Sequence, residues 1–368
     1  MRICIVVDKV LRGEGIGEYI TELYKYLIKK NQVDVLTRME NTGIPIKKVE
    51  WGAPGPLKYF RPYKYGKLGR YDVVVSNFPT VAPILTAIKI SKELGIAHVV
   101  HDYGIVSSGH FSNLRARYAH KIETIIMPRV YARGDKIITI SKFLQRELRE
   151  RGIKSDVGYG GITYSKYQKK RSTGILKKFG LKSDGYVLFV GRISEHKGIH
   201  KLIQAWKKAK VELPLVVVGG FPVGDYEKKL KELSAGEKVI FTGKLPEDDL
   251  IAMLQNCAFY CLASLGEAYN LTILEAQACG KPVVLFNAGA PPEIMIDKKT
   301  GFLVKPDDIK EYAERIRSLS SNRALRRGMG LEAKRWAKKF DWNVIGKKFE
   351  KMYQEVNDAG RKKWSKKK

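Results

Sequence analysis

Short apolar runs alternate with longer amphipathic stretches along the whole chain, and no other feature constrains the fold as strongly. Runs of strand length lie at 2–7, 33–36, 72–76, 96–100, 136–140 and 154–158, with helical patterns at 15–30, 80–94, 112–133 and 141–151. A second series has runs at 186–190, 215–218, 239–241, 259–262 and 282–286, with helical patterns at 197–210, 225–234, 246–255 and 269–279. This alternation is typical of βαβ units and a parallel sheet. The sequence therefore predicts two doubly wound α/β domains in tandem.

The 368 residues are enough for two or three domains with their own cores. The polar, glycine-broken stretch 158–172 separates the two series and predicts a linker. We place an N-terminal domain at 1–163, a C-terminal domain at 164–340, and a helix with a basic tail at 341–368 that packs back on the N-terminal domain. Pro306, followed by two aspartates, predicts a helix start, because proline fits the first turn and acids favour the N-terminal dipole.

Positive charge dominates the composition, with 68 Lys and Arg against 38 Asp and Glu, a net charge of +30. Such a field favours anionic partners, namely nucleotides, sugar or lipid phosphates, nucleic acid or an acidic membrane surface. A solvated surface rich in lysine and glutamate explains the same excess. Segment 51–71 combines basic and aromatic residues without an acid, which is typical of an interfacial or acceptor-binding loop. The lysine-rich segment 361–368 is also typical of a fraying chain end.

Several classes of protein are disfavoured. No apolar run reaches 18 residues, and the first residues lack the apolar core and cleavage site of a secretory signal, so we expect a cytoplasmic protein. The four cysteines lie in apolar runs without a C-x-x-C pair, which favours buried free thiols. His196 and His200 are four apart but have no recognisable third ligand, so no metal site is predicted.

Polar residues follow the strands of the first domain at the edge where parallel sheets bind ligands. Gly15 and Gly17 lie after the first strand, where glycine lets a phosphate or sugar approach the backbone; a flexible loop explains them equally well. His101 follows the run 96–100 and can donate a hydrogen bond to a substrate. A capping or core histidine is the structural alternative.

Charged residues follow the strands of the second domain. Arg192 and Lys197 come directly after the run 186–190, around a helix start, and two cations with a helix dipole suit a diphosphate. Glu267 and Glu275 are eight apart, the first in the loop before a helix and the second about two turns into it. A carboxylate accepts hydrogen bonds from neighbouring hydroxyls of a ribose or hexose. Two exposed helix glutamates are the alternative, although Glu275 stands in an apolar stretch.

These motifs resemble the retaining nucleotide-sugar glycosyltransferases of family 4, which have the GT-B fold. The resemblance covers nearly the whole chain and is most specific over 186–306. Its residues are Gly191-Arg192, Lys197-Gly198, Thr242-Gly243, Glu267 to Glu275, Ala278 to Val284, Gly289 to Glu293 and Thr300 to Val304. The resemblance implies two Rossmann-like domains facing across a cleft, the first binding the acceptor and the second the nucleotide sugar.

The resemblance also implies roles for the charged residues of the second domain. Arg192 and Lys197 would bind the donor diphosphate and stabilise it as the leaving group. Glu275 would hold the ribose hydroxyls and Glu267 the donor sugar. His101 would lie near the sugar and the acceptor. The leaving group would depart with retention of configuration, helped by electrostatic stabilisation rather than by a carboxylate nucleophile, and without a metal or other cofactor.

Further donor contacts are implied by the same resemblance. The backbone amides of Asn270 and Leu271 would meet the distal phosphate, and the base would stack near Lys244 and Leu245. Gly15 and Gly17 would line the opposite wall. The chain departs from the family where Ala268 and Asn270 replace glycines, where Gly160-Gly161 replaces Asn-Gly, and where the first glycine loop lacks a Gly-Gly start. Asparagine tolerates the left-handed backbone, which is compatible with phosphate binding.

We therefore predict a retaining hexosyltransferase that uses a UDP-, GDP- or ADP-sugar. The acceptor is a glycan, a lipid phosphate or a small molecule. Peripheral association with the anionic cytoplasmic face of a membrane is the alternative to a free cytoplasmic protein. No two aspartates are two apart, which counts against a D-x-D, metal-dependent fold. A sugar-nucleotide epimerase on the same fold and a non-catalytic nucleotide-sugar-binding protein are the alternatives. A nucleic-acid binder is disfavoured because the chain lacks a recognition motif of that kind.

Overall fold

A computed structural model describes residues 1–11, 15–53, 61–77, 81–104, 127–220 and 225–365. The chain divides into two compact units. Unit 1 comprises Met1–Gly161 together with Trp342–Lys368, and unit 2 comprises Ile162–Asp341. The chain therefore leaves unit 1, forms all of unit 2, and then returns to unit 1.

Unit 1 is built on a seven-stranded parallel sheet. The described strands of unit 1, which include a separate two-stranded pair, are β1 (Arg2–Val6), β2 (Lys9–Val10), β3 (Gln32–Thr37), β4 (Met39–Glu40), β5 (Lys47–Lys48), β6 (Val73–Asn77), β7 (Ala97–Asp102), β8 (Lys136–Thr139) and β9 (Asp156–Val157). The first helices are α1 (Gly15–Leu27), α2 (Val81–Leu94) and α3 (Lys142–Glu150). The strand order is β5-β3-β1-β6-β7-β8-β9, and β2 pairs separately with β4.

Unit 2 is built on a six-stranded parallel sheet. Its strands are β10 (Val187–Val190), β11 (Leu215–Val218), β12 (Val239–Gly243), β13 (Phe259–Leu262), β14 (Val283–Phe286) and β15 (Gly301–Val304). Its helices are α4 (Gly174–Lys178), α5 (Ile199–Ala209), α6 (Asp225–Leu233), α7 (Glu247–Asn256), α8 (Leu271–Ala278), α9 (Ile309–Ser321) and α10 (Arg323–Ala337). Single 3₁₀ turns lie at Tyr164–Tyr167, Glu195–Lys197, Pro291–Ile294 and Lys338–Phe340. The strand order is β12-β11-β10-β13-β14-β15.

The strand order of unit 2 is that of a doubly wound nucleotide-binding sheet, in which the order of the parallel strands reverses at the first strand, β10. β10 pairs with β11 on one side and with β13 on the other. Val187, Leu188 and Phe189 have no exposed surface, as expected for a parallel strand covered on both faces. The predicted pair of Rossmann-like α/β domains is confirmed.

The last helix, α11 (Trp342–Ser365), belongs to unit 1. It packs against α1 and β7. Phe349 and Tyr353 on its inner face are fully buried, and Trp342 at its start is 4% exposed. Gly346 lies directly on the Tyr26 ring, where a Cβ would come within 2.4 Å of Cδ1. Residues far apart in sequence therefore complete the core of unit 1 together.

One local prediction is wrong. α9 begins at Ile309, not in the first residues after Pro306, because Asp307 has a left-handed backbone (φ 63°) and the Asp308 carboxylate caps the helix by accepting from Glu311 N. The boundary between the two units, from Gly161 to Ile162, falls inside the predicted linker at 158–172. This stretch is nevertheless ordered: it contains a 3₁₀ turn, and Tyr167 is 7% exposed. The helical pattern at 112–133 lies mostly outside the described residues, which are helical at 127–131.

The aromatic side chains of segment 51–71 are largely built into unit 1. Tyr63 and Tyr71 are buried, and the Tyr63 hydroxyl donates to Asp8 Oδ1 at 2.8 Å. The Trp51 ring stacks on Arg38, whose Cζ lies 3.9 Å from the ring centroid. The exposed cations of the segment are Arg61, Lys64, Lys67 and Arg70. The described aromatic residues thus anchor the segment and leave its charge facing solvent, while Lys58, Tyr59 and Phe60 lie outside the described residues.

Within the described ranges, no helix is both long and apolar enough to span a bilayer.

Candidate functional site

The residues after β10 and β13 form the strongest candidate site, since a doubly wound sheet binds ligands outside the carboxyl ends of the strands where its order reverses. β10 ends at Val190 and β13 at Leu262. Residues 191–198 and 263–270 follow these strands and carry Arg192, Lys197 and Glu267. The topology therefore places the charged motif residues at the reversal point of the sheet.

The two loops are in close contact at Gly198. Gly198 has a φ of 67°, and a Cβ at this position would lie 1.9 Å from the carbonyl oxygen of Ala263. The Ser264 hydroxyl donates to the carbonyl oxygen of His196 at 2.8 Å. The Lys197-Gly198 step of the sequence motif is thus explained by close backbone packing next to the site.

Lys197 and Glu267 form an ion pair at the centre of the site. Lys197 Nζ lies 2.6 Å from Glu267 Oε1, and the two side chains are 15% and 8% exposed. The backbone of Glu267 is held from the other side: its carbonyl oxygen accepts from Ala290 N at 2.9 Å, and a Cβ on Gly289 would lie 2.6 Å from the same oxygen. The site therefore presents a fixed, largely desolvated cation and carboxylate.

Arg192 differs from Lys197 in its environment. It is exposed and has no hydrogen-bond or ion-pair partner within the described part of the chain. Lys244 and Leu245 follow β12, two strands away from β10; Lys244 is exposed and Leu245 half-buried. The Lys244 side chain runs beside Gly220, where a Cβ would lie 3.0 Å from its Cε. Both cations remain available to an anionic ligand at this edge of the sheet.

Asn270 acts as the N-cap of α8. Its side-chain oxygen accepts from Thr272 N at 3.1 Å, and its φ of −147° is extended. Asparagine tolerates a left-handed backbone, but Asn270 does not adopt one, because an N-cap residue is extended. Leu271 is the first residue of α8, and the first N–H groups of a helix have no partner within it. The helix N-terminus is electrostatically suited to an anion.

Glu275 lies one turn further along α8 and is half-buried. Its Oε1 accepts a hydrogen bond of 2.8 Å from the hydroxyl of Tyr167. Burial and the nearby Glu275 charge raise the pKa of Tyr167 well above its ordinary value, so the phenol remains a donor. Sequence analysis missed Tyr167, since the polar stretch around it gives no signal that this side chain is buried against α8.

His101 lies in unit 1, at the end of β7, and is 2% exposed. Its Nε2 lies 2.9 Å from the Tyr353 hydroxyl and its Nδ1 3.4 Å from the Tyr103 hydroxyl. Tyr103 donates its own proton to Asn77 Oδ1 at 2.5 Å, an arrangement that favours a proton on His101 Nδ1. Burial lowers the pKa of His101 to about 3, so the ring is neutral at physiological pH.

Gly15 and Gly17 begin α1 of unit 1. Gly15 is exposed, whereas Gly17 is buried against Leu11, whose carbonyl oxygen would lie 2.1 Å from a Cβ at position 17. Arg12, Gly13 and Glu14 of the glycine loop lie outside the described residues. The structure thus places Arg192, Lys197, Glu267, Asn270, Leu271 and Glu275 in the loops after β10 and β13 and on α8 of unit 2, and Lys244 and Leu245 after β12. It places His101, Gly15 and Gly17 in unit 1.

No group of three histidine, cysteine or acidic side chains in the described ranges is arranged to hold a metal ion. The cysteines are free thiols: Cys4, Cys257 and Cys261 are buried, and Cys279 is half-buried. Burial raises the pKa of Cys4 and Cys257 to about 12, which keeps these thiols protonated and unreactive.

Comparison with known proteins identifies two family models along the chain. The model described as Glycosyltransferase Family 4 matches residues 13–163, and the model described as Glycosyl transferases group 1 matches residues 173–336.

Two curated relatives illustrate the similarity. An uncharacterized glycosyltransferase of Methanocaldococcus jannaschii is 26% identical over 317 residues, which cover 82% of this chain and 84% of the relative. The N,N'-diacetylbacillosaminyl-diphospho-undecaprenol alpha-1,3-N-acetylgalactosaminyltransferase of Campylobacter jejuni is 22% identical over 311 residues, which cover 77% of this chain and 82% of the relative.

Among solved structures, Anabaena HepE in complex with UDP-glucose matches with a TM-score of 0.78. It is 20% identical, and the match covers 96% of this chain and 99% of HepE. The two proteins therefore share their fold over nearly their full lengths.

Proposed function

The chain belongs to the family 4 glycosyltransferases of the GT-B fold, and from this premise we propose that it transfers a hexose from a nucleoside diphosphate sugar with retention of configuration. The donor binds unit 2 at the reversal point of its sheet. The observation that carries the proposal is the Lys197–Glu267 pair at 2.6 Å, held at the carboxyl end of β10 beside the exposed Arg192.

The chemistry proposed for this site is departure of a diphosphate. Negative charge grows on the diphosphate as the glycosidic bond breaks, so cations that contact it stabilise the transition state more than the ground state. Arg192 and Lys197 supply two such cations, and the N-terminus of α8, with the amides of Asn270 and Leu271, supplies a third positive element. These groups act as the electrostatic counterpart of the leaving group, and the proposal requires no metal ion.

Carboxylates orient the donor in this proposal. Glu267 accepts hydrogen bonds from hydroxyls of the donor sugar and Glu275 from the ribose, while the base lies near Lys244 and Leu245. The complexes of HepE with UDP and with UDP-glucose support a uridine nucleotide as the first donor to test. GDP- and ADP-sugars are the other donors in the proposal. Catalytic participation of His101, and contacts at Gly15 and Gly17, stay predictions.

The acceptor proposed for unit 1 is a glycan or a phosphate-bearing lipid. The name of the Campylobacter jejuni relative, whose substrate is a diphospho-undecaprenol, supports the second class. The exposed cations Arg61, Lys64, Lys67 and Arg70 provide a surface for anionic headgroups and for peripheral membrane binding. Replacing all four by glutamine is expected to reduce co-sedimentation with phosphatidylglycerol vesicles; unchanged co-sedimentation would contradict this part of the proposal. Replacing the exposed unit 2 residues Lys177, Lys178, Lys182 and Lys210 is the matched control.

The first experiment is a thermal-shift measurement with UDP, GDP, ADP and their sugar conjugates, and with single-stranded RNA as a control. A ligand at 100 times its dissociation constant adds about 2.7 kcal/mol of stability. We expect a shift with one nucleoside diphosphate and its conjugates. A shift with RNA alone would overturn the proposal.

Variants then separate binding from chemistry. Arg192→Ala is expected to lower kcat at saturating donor by at least 100-fold, as removal of one transition-state donor does in other enzymes. Arg327→Ala removes another exposed arginine, on α10, and serves as the control. A wild-type rate in Arg192→Ala would show that this guanidinium does not contact the leaving group.

A further inference from the structure

One contact joins the segment between the two sheets to the candidate donor site. The Tyr167 hydroxyl donates to Glu275 Oε1 at 2.8 Å, and Tyr167 is 7% exposed. Both residues belong to unit 2. A buried phenol requires a hydrogen-bond acceptor, and this one finds its acceptor in a glutamate of α8 rather than in the backbone.

We propose that Tyr167 is a positioning residue for the donor: it fixes the Glu275 carboxylate in the orientation that accepts hydrogen bonds from the two hydroxyls of the ribose. This proposal rests on the proposed function, in which Glu275 contacts the ribose. Tyr167 itself touches neither the sugar nor the diphosphate and acts through Glu275.

The backbone around Tyr167 is held well enough for this role. Gln168 Nε2 donates to the carbonyl oxygen of Ala278 at 2.9 Å, which ties the 3₁₀ turn to the end of α8. Gln255 Nε2, from α7, donates to the carbonyl oxygen of Tyr167 at 3.1 Å. Tyr164 N donates to Asp341 Oδ2 at 3.0 Å. The phenol is therefore fixed relative to the helix that carries Glu275.

The chemistry of a carboxylate explains how one group serves both partners. Its two oxygens offer about four lone-pair sites, and the Tyr167 hydroxyl occupies one of them. A hydrogen bond to an ionised oxygen is stronger than a neutral one, so it restrains the side chain effectively. A restrained carboxylate loses less conformational freedom when the ribose binds. Tyr167 should thus raise affinity for ribonucleotides and have little effect on nucleotides that lack one hydroxyl.

The test compares ribonucleotides with their 2'-deoxy forms. The probes are UDP, GDP and ADP, each paired with its 2'-deoxynucleoside diphosphate, and the measurement is the dissociation constant by calorimetry. Tyr167→Phe is expected to weaken binding of the preferred ribonucleotide by about 10-fold and to leave binding of the deoxy form nearly unchanged. In steady-state assays we expect a higher donor KM at an unchanged kcat.

Two further variants make the result specific. Tyr164→Phe removes a phenol oxygen from the same 3₁₀ turn, and the Tyr164 hydroxyl has no hydrogen bond to any part of the chain that the structure describes. It should behave as wild type. In a Glu275→Ala background, Tyr167→Phe should have no additional effect on ribose discrimination, because the carboxylate through which it acts is gone.

The outcomes distinguish this proposal from the proposed function. If wild type binds none of the three nucleoside diphosphates, the proposed function fails. If Glu275→Ala abolishes ribose discrimination but Tyr167→Phe keeps it, the positioning role is wrong and the donor site stands. An equal loss for ribo and deoxy forms, accompanied by a lower unfolding midpoint of the free protein, would assign Tyr167 a purely structural role and also overturn the proposal.

Discussion

Lys197 and Glu267 are both largely withdrawn from solvent, and each compensates the charge of the other. Removing one partner of such a pair leaves a charge without compensation and costs about 3–5 kcal/mol. Substitution of Lys197 or Glu267 alone will therefore reduce stability together with any activity. Arg192 is exposed and has no partner in the described ranges, so its replacement perturbs the site with less structural cost.

Two buried histidines of unit 1 predict a pH-dependent stability. Burial lowers the pKa of His98 to about 4 and of His101 to about 3, against an ordinary value of 6.5. Between about pH 6.5 and 4 the unfolded chain binds more protons, so the free energy of unfolding falls as the pH falls. Each histidine contributes up to about 1.4 kcal/mol per pH unit.

Urea unfolding of wild type and His101→Asn at pH 7, 6 and 5 tests this prediction. Full stabilisation is present above pH 6.5, and the variant should lose stability less steeply than wild type as the solution is acidified. Equal slopes would mean that His101 binds a proton as readily in the folded protein as in the unfolded chain, and that its ring is accessible to water.

Sequence alone indicated the charged residues of the candidate site but not their partners. Arg192, Lys197 and Glu267 were predictable because their residue types and spacing match a known motif. The cap made by Asn270 was missed because its role depends on a local backbone angle. Tyr167 was missed because its contact with Glu275 spans 108 residues of sequence, and no periodic pattern signals such a contact.

The elements of the sheets were predictable because their signal is local. Apolar runs at 186–190 and 259–262 correspond to β10 and β13 within one residue at each end. The start of α9 was misjudged because proline and aspartate both favour the first turn, and the backbone angle of Asp307 decided between them. Tertiary packing, which no local pattern records, makes residues 162–172 of the polar stretch an ordered part of unit 2.

The close contact between the loops after β10 and β13 predicts that adding one methyl group at Gly198 strongly lowers stability. Gly198→Ala places a Cβ 1.9 Å from the Ala263 carbonyl oxygen in a backbone with φ 67°, so the two loops must separate. We expect a loss of several kcal/mol in the stability of unit 2 by steric exclusion added to about 1–2 kcal/mol of backbone strain. Affinity for nucleoside diphosphates should fall as Lys197 is displaced.

Gly236→Ala is the matched control. Its φ of 76° imposes a similar strain, but a Cβ there meets nothing within 4 Å. Chemical denaturation of both variants should give a small loss for Gly236→Ala and a much larger one for Gly198→Ala. Similar losses would indicate that strain, and not loop contact, makes glycine necessary at position 198.

The molecule as a whole contains two hydrophobic cores, one in each unit, and we expect them to unfold in separate transitions. Phe349 is fully buried in unit 1, and Phe286 is 1% exposed in unit 2. Replacing either phenylalanine by alanine costs about 3–5 kcal/mol in the core that contains it. Differential scanning calorimetry is expected to show Phe349→Ala lowering one transition and Phe286→Ala lowering the other. A parallel fall of both transitions in each variant would show that the units unfold as one cooperative body.

The chain path has a consequence for biosynthesis. α11 leaves the ribosome after the whole of unit 2, yet it supplies unit 1 with Phe349 and with the Tyr353 hydroxyl that contacts His101. All of unit 2 has been translated by then and can fold, because domains generally fold as units during synthesis. Until α11 has been synthesised, unit 1 lacks this helix, and the apolar surface that α11 covers stays exposed to solvent. During translation residues 1–161 are therefore more vulnerable to aggregation than unit 2, and a premature stop codon just before residue 342 would leave a complete unit 2 attached to an incomplete unit 1.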